Sequence, residues 1–231
     1  MLMPALHLAL HLALLLAAPR PPAIDVAVHQ LCDARALPFD FCLAFTNCGP
    51  VKKGTCSSSD EAQQPSGEDW SSWRCDVDVR NGYLTCTEQV HLRGGPGSGE
   101  VLTFTRDAAL FISKGSVMVA AAVRGDRPKA WFFTRTDAGW SPVEPLPKLT
   151  AAVFGLAEPS APGKERDHFQ AEFLVELALP REGTTVTAYG RWVNTFRDDS
   201  GYGQSDTELS NASVELKWNA AASKFVVQRS P

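Results

Sequence analysis

Beyond Trp73 the chain runs in short apolar stretches that alternate with polar residues at a period of two, separated by Gly, Pro, Asn and Asp. Successive side chains of an extended strand point to opposite faces, so this period predicts strands with one packed and one wetter side. The sharpest local pattern is "RCDVDVRNGYLTCTEQVHL", residues 74–92, where Asn81-Gly82 favours the positive φ angles of a tight turn between two alternating flanks. It predicts a β-hairpin. A two-residue loop there sets Val77 opposite Cys86 and leaves Cys75 diagonal to Cys86, out of bridging reach without a bulge.

Further strands are expected at "EVLTFT", "SVMVAAAV", "KAWFFTR", "TAAVFGL", "HFQAEFLVELAL", "TVTAYGRWV", "SVELKW" and "KFVVQR". In "HFQAEFLVELAL" the residues Phe169, Ala171, Phe173, Val175 and Leu177 share one face, and Gln170, Glu172 and Glu176 the other, with Leu174 the exception. A helix is the alternative there, since Glu, Ala and Leu are good helix formers. The short links "PREG" and "NAAAS" suit antiparallel neighbours. Residues 73–231 are therefore expected to form an all-β antiparallel sandwich or curved sheet, with a disulfide-stapled irregular region ahead of it. An outer-membrane barrel is not expected, because most of these runs fall short of the about 10 residues that a lipid-facing strand needs.

Residues 24–72 show no such period and close on the polar stretch "SSSDEAQQPSGED", residues 57–69, expected to be a solvated loop. Upstream, the run from Ala5 to Ala18 holds no charged residue. It is shorter than the about 20 residues of a membrane span and suits the apolar core of a secretory leader, so residues 1–23 are expected to be a signal peptide, cut after Ala17 or Ala23. A retained anchor and a buried helix are the alternatives. His7 and His11 lie one helical turn apart within this segment, where its removal would leave them no role.

Export changes how the six cysteines are read. Cys32, Cys42, Cys48, Cys56, Cys75 and Cys86 are separated by nine, five, seven, eighteen and ten residues, so the C-x-x-C spacing of zinc sites and redox centres is absent from the sequence. An even number of closely grouped cysteines in an exported chain reads as a disulfide framework, whose pairing spacing alone does not choose. "VHQL" before Cys32 also lacks the small residues expected ahead of a lipid-modified cysteine.

Composition narrows the function classes. A formal net charge of −4, with no basic stripe, gives nucleic-acid binding no electrostatic support. Beyond the leader only His29, His91 and His168 remain, and no hydrolase or zinc motif accompanies them. "RDDSGYGQSDTELSN", residues 197–211, gathers Asp198, Asp199, Asp206 and Glu208, but on a calcium-loop frame starting at Asp198 it puts Leu209 where the bidentate Glu belongs. "RGGPGSGE", residues 93–100, lacks the Lys-Ser/Thr of a phosphate loop, and Arg124-Gly125-Asp126 reads as a turn before it reads as a receptor tripeptide. Asn211-Ala212-Ser213 fits the glycosylation acceptor. Trp131, Trp192 and Trp218 fall in expected strands, whereas Trp70, Trp73 and Trp140 lie near turns where an indole could stack on a sugar or peptide.

These features point to a secreted or periplasmic β protein with a binding or structural role. A protein or polysaccharide partner is expected, with no nucleic acid, no cofactor, no metal site and no transmembrane span in the mature chain. No catalytic residue is assigned. The alternative is an exported hydrolase using Glu172 or Glu176 with Asp206 or Glu208.

Overall fold

The computed structural model describes residues 21–48, 54–59, 70–92, 101–113, 116–125, 127–160, 171–197 and 204–228. The first twenty residues, the 93–100 loop and His168 lie outside the described residues. The chain is mostly β, in two antiparallel sheets. Seven strands form the first: β1 (Gly54–Ser59), β2 (Trp70–Asp78), β3 (Tyr83–His91), β4 (Val101–Ser113), β5 (Ser116–Arg124), β6 (Lys129–Thr136) and β7 (Gly139–Pro142), each paired with the one before it. Four form the second, also in chain order: β8 (Ala171–Ala178), β9 (Thr185–Arg197), β10 (Gln204–Asn219) and β11 (Lys224–Gln228).

The region that shows no strand period in the sequence contains two helices, α1 (Ile24–Asp33) and α2 (Phe39–Cys48). In α1 the residues Ile24, Ala27, Val28 and Leu31 recur at helical spacing and are fully buried. The chain then reverses through Arg35 at φ +54°, and Cys32 bonds Cys42 across the helix junction with 5.6 Å between the Cα atoms. Phe41, Ala44 and Phe45 of α2 complete the apolar face, and Phe41 meets Trp131 edge-on at 6.0 Å.

Both faces of the larger sheet are therefore covered. Val119 and Ala121 of β5 join the helices in one core, while Met118, Ala120 and Ala122 join β8–β11 in the other. A strand packed on both sides should be apolar throughout, which accounts for the unbroken run "VMVAAAV".

Two local expectations are corrected. The β2–β3 turn takes four residues, Val79 to Gly82, so Asp78 pairs with Tyr83 and Cys75 stands directly opposite Cys86. The two are bonded, with Cα atoms 4.1 Å apart. Asp78 sets the longer loop by accepting the Asn81 backbone N–H at 3.1 Å and its side-chain amide at 2.9 Å, and Gly82 closes it at φ +63°. The added loop residues move each pairing by two positions and keep the faces. "TAAVFGL" is not a strand: Ala151–Phe154 forms a 3-10 turn that ends at Gly155, φ +69°, and drops Phe154 into the second core. The side chains of Cys48 and Cys56 lie outside the described ones.

The sheets are also tied at one end by polar contacts. Arg181, in the link after β8, places Nε 3.0 Å from Asp78 Oδ2 and Nη1 3.2 Å from Asp76 Oδ2. Hydrogen bonds from the Asn81 side chain, then from Arg181, hold the Asp78 carboxyl down to about 2.

Candidate functional site

Where α2 begins and the helix-facing sides of β3, β4 and β5 meet, the residues Asp40, Glu88, Val90, Phe104, Arg106, Val123, Arg124 and Arg127 line an open cavity of about 400 Å³. The strand period builds it. Glu88 pairs with Phe104, Arg106 pairs with Val123, and residues two apart on one strand share a face.

Arg106 is the central group, only 6% exposed. Its guanidinium carbon lies 5.0 Å from the centroid of buried Trp73, an arrangement in which the ring's negative face attracts the cation. Nη1 is 3.0 Å from Glu88 Oε2, close enough for an ion pair but out of line for a hydrogen bond, and Nε has no acceptor among the described residues. Behind the cavity, on the opposite face of β4, Asp107 is 1% exposed, forms an ion pair with Arg124 Nε at 3.0 Å and accepts a hydrogen bond from the Tyr83 hydroxyl at 2.9 Å. Burial, aided by the Asp107 charge, pushes the Tyr83 phenol up to about 12, so it stays a donor. Arg127 is exposed, and no carboxylate pairs with it among the described residues.

The Arg124 guanidinium turns away to Asp107, so the cavity holds the guanidinium groups of Arg106 and Arg127 against the carboxylates of Asp40 and Glu88, and Glu88 is already opposed by Arg106. Arg127, which no carboxylate among the described residues pairs, is the cation left to meet an anion there. The lining contains no Ser, Thr, Cys, His, Lys or Tyr side chain, and its carboxylates, Asp40 and Glu88, are the groups there able to act as base or nucleophile. A second hollow of about 420 Å³ runs along the outer edge of β6 beside Trp131, Phe132, Val143, Pro145 and Leu146, and is mostly apolar.

The residues singled out in the sequence lie elsewhere. Glu172, Val193 and Glu208 form one row across β8, β9 and β10, so the two carboxylates, each exposed, stand two strands apart, about 9–10 Å between backbones, with buried Val193 between them. Glu176 is engaged by the Gly125 N–H at 3.1 Å, while Arg191 Nη2 donates to the Gly125 carbonyl at 2.7 Å. The Arg124-Gly125 turn is thereby fastened to β8 and β9, with Arg124 committed to Asp107. Asp126, Asp198, Asp199 and the Asp206 side chain lie outside the described residues. His29 Nδ1 sits 2.8 Å from the Asp25 carbonyl oxygen of its own helix, and His91 is at the far end of β3. No group of three potential metal ligands occurs among the described residues.

Trp73 is not a turn residue but a buried strand residue beneath Arg106. Trp140 Nε1 donates to Gln30 Oε1 at 3.0 Å, and the Trp70 side chain is outside the described ones. Sequence reading overlooked Arg106, Glu88, Arg127 and Asp40. The available signal was "TFTRDAALFI": two adjacent charges inside a long apolar strand have to be explained on both faces.

No protein family matches this chain, and neither the curated proteins nor the solved structures yield a match.

Proposed function

We propose that this is an exported, non-catalytic binding protein whose site is the arginine cavity and whose ligand is a small carboxylate with an apolar portion. The observation that carries it is the Arg106 guanidinium, more than nine-tenths buried yet with an Nε–H that no described residue accepts. A buried donor left unpaired costs about 1–3 kcal/mol, and a ligand oxygen would recover it as the guanidinium turns its Nε–H toward the cavity. Guanidinium groups match planar carboxylates through paired N–H donors. Val90, Phe104 and Val123 offer an apolar wall, and the volume lies in the range of about 300–1,000 Å³ usual for small-molecule sites.

Export is supported by the uncharged run ahead of Pro19 and by the disulfides Cys32–Cys42 and Cys75–Cys86. No helix among the described residues is long and apolar enough to cross a membrane. Glu172, Glu176 and Glu208, carboxylates of the hydrolytic alternative, stand outside both hollows.

Calorimetry with phenylacetate and, separately, inorganic phosphate tests the assignment. Phenylacetate should bind, and Arg106→Lys, which keeps the charge but removes the planar fork, should weaken it at least tenfold, about the lower end of a charged hydrogen bond. Arg127→Ala, at an exposed position, should weaken it without unfolding the protein. Binding unchanged in both variants would discard the cavity as the site. N-terminal sequencing of the mature protein should start between Ala18 and Ile24, and finding Met1 would discard export.

A further inference from the structure

The sequence holds a single Asn-x-Ser/Thr acceptor with x other than Pro, Asn211-Ala212-Ser213, and the second sheet presents it in a particular way. Ala212 pairs with Gly190 and packs inward against the second core, so Asn211 and Ser213 share the outer face of β10, where both are exposed. β11 covers β10 only from Glu215 onward, so among the described residues no strand pairs with the outer edge of β10 at the acceptor. On the adjacent strand Ser213 stands opposite Tyr189, which leaves Asn211 diagonal to that ring at about 7–8 Å. Tyr189 is 45% exposed, the most exposed tyrosine side chain among the described residues.

We propose that Asn211 carries an N-linked glycan whose first sugar lies over Tyr189. In its formation Asn211 Nδ2 attacks the anomeric carbon of a lipid-linked oligosaccharide. The new N–C bond forms as the bond to the lipid diphosphate breaks, and the amide proton passes to the transferase. The product amide keeps one hydrogen on Nδ2, which preserves the donation from Asn211 to Glu208 Oε1. An apolar sugar face against an exposed phenol ring shields surface that is otherwise wet. The glycan also obstructs the free edge of β10, where another strand could pair.

This inference requires export but not the arginine cavity. The test is expression of the full chain, leader included, in a secreting eukaryotic cell, followed by mass spectrometry of the tryptic peptide 198–217, in which Asn211 is the only asparagine. The peptide should carry a hexosamine-containing mass that a peptide N-glycosidase removes by hydrolysing the side-chain amide, converting Asn211 to Asp. Asn211→Gln and Ser213→Ala should each abolish it, and deglycosylation should raise the rate of Tyr189 nitration severalfold. Unmodified peptide from secreted, leader-cleaved protein overturns the glycan and leaves export standing. Unmodified peptide from retained chain beginning at Met1 overturns both. Equal nitration before and after deglycosylation overturns the placement over Tyr189.

Discussion

Gly190 should not tolerate even a methyl group. A Cβ built on it would lie 2.6 Å from Phe154 Cγ and 2.8 Å from both Cδ atoms, well inside the distance at which carbon atoms touch. The contact is with a ring that cannot swing aside freely, because Phe154 is 7% exposed and meets Phe173 at 5.6 Å. In an open strand, Gly→Ala would be favourable by about 0.5–1 kcal/mol, since glycine loses the most backbone freedom on folding. Overpacking costs about 1–3 kcal/mol, and full expulsion of the ring approaches the about 3–5 kcal/mol of deleting a buried Phe. The net expectation for Gly190→Ala is a loss of about 2 kcal/mol. With a urea slope of about 2 kcal/mol/M, that moves the unfolding midpoint down by about 1 M. Adding Phe154→Ala should remove the clash, so the double variant should lose less than the two single losses combined. Additive losses, or a neutral single variant, would refute the close approach of Phe154 to the β9 backbone.

Tyr83→Phe should cost about 1.5–3 kcal/mol, the worth of a hydrogen bond to a charged group, because it removes the hydroxyl that Asp107 accepts and leaves the ring packing in place; equal thermal stability would refute that role. Asp78, depressed to about 2 when folded against an ordinary 3.8, stabilises the fold fully above pH 4, and that contribution should fade as pH falls through 2. Asp78→Asn should flatten this part of the acid-unfolding curve, and an identical curve would count against the Asn81–Arg181 contacts as its cause. Replacing Cys75 and Cys86 together by Ala should cost about 3 kcal/mol in denaturant unfolding, the loop-closure value for their separation of 11 residues. An unchanged midpoint would show that strand pairing alone holds the hairpin.

The strands were legible where one face meets core and the other water, as in β3, and also in β5, whose unbroken apolar run suits burial on both sides. The β2–β3 register was not, because Asn81-Gly82 is the usual mark of a two-residue loop, and only the bonds from Asp78 to Asn81 make the loop longer. The helices escaped notice because they are ten residues long and carry Val, Phe, Thr and Cys, residues that weigh against helix by propensity. Yet the spacing of Ile24, Ala27, Val28 and Leu31 was there to be read. The cavity was harder. Arg106 and Glu88 come from neighbouring strands, and Asp40 lines the same cavity from a helix whose docking no local pattern announces.

Strictly sequential pairing bears on how the protein is made. As the chain leaves the ribosome, every strand from β2 to β7 finds its partner already synthesised, and the same holds again from β9 to β11. Growth by successive hairpins avoids the slow search that distant pairings impose. The order has a cost, because Phe111, Met118, Ala120 and Phe132 await cover by strands that begin only at Ala171. For the time needed to translate the intervening residues, several seconds at about 5–20 residues per second, one side of a finished sheet stands open to other chains. The nascent protein is therefore most in need of a chaperone between the completion of its first sheet and the arrival of its second.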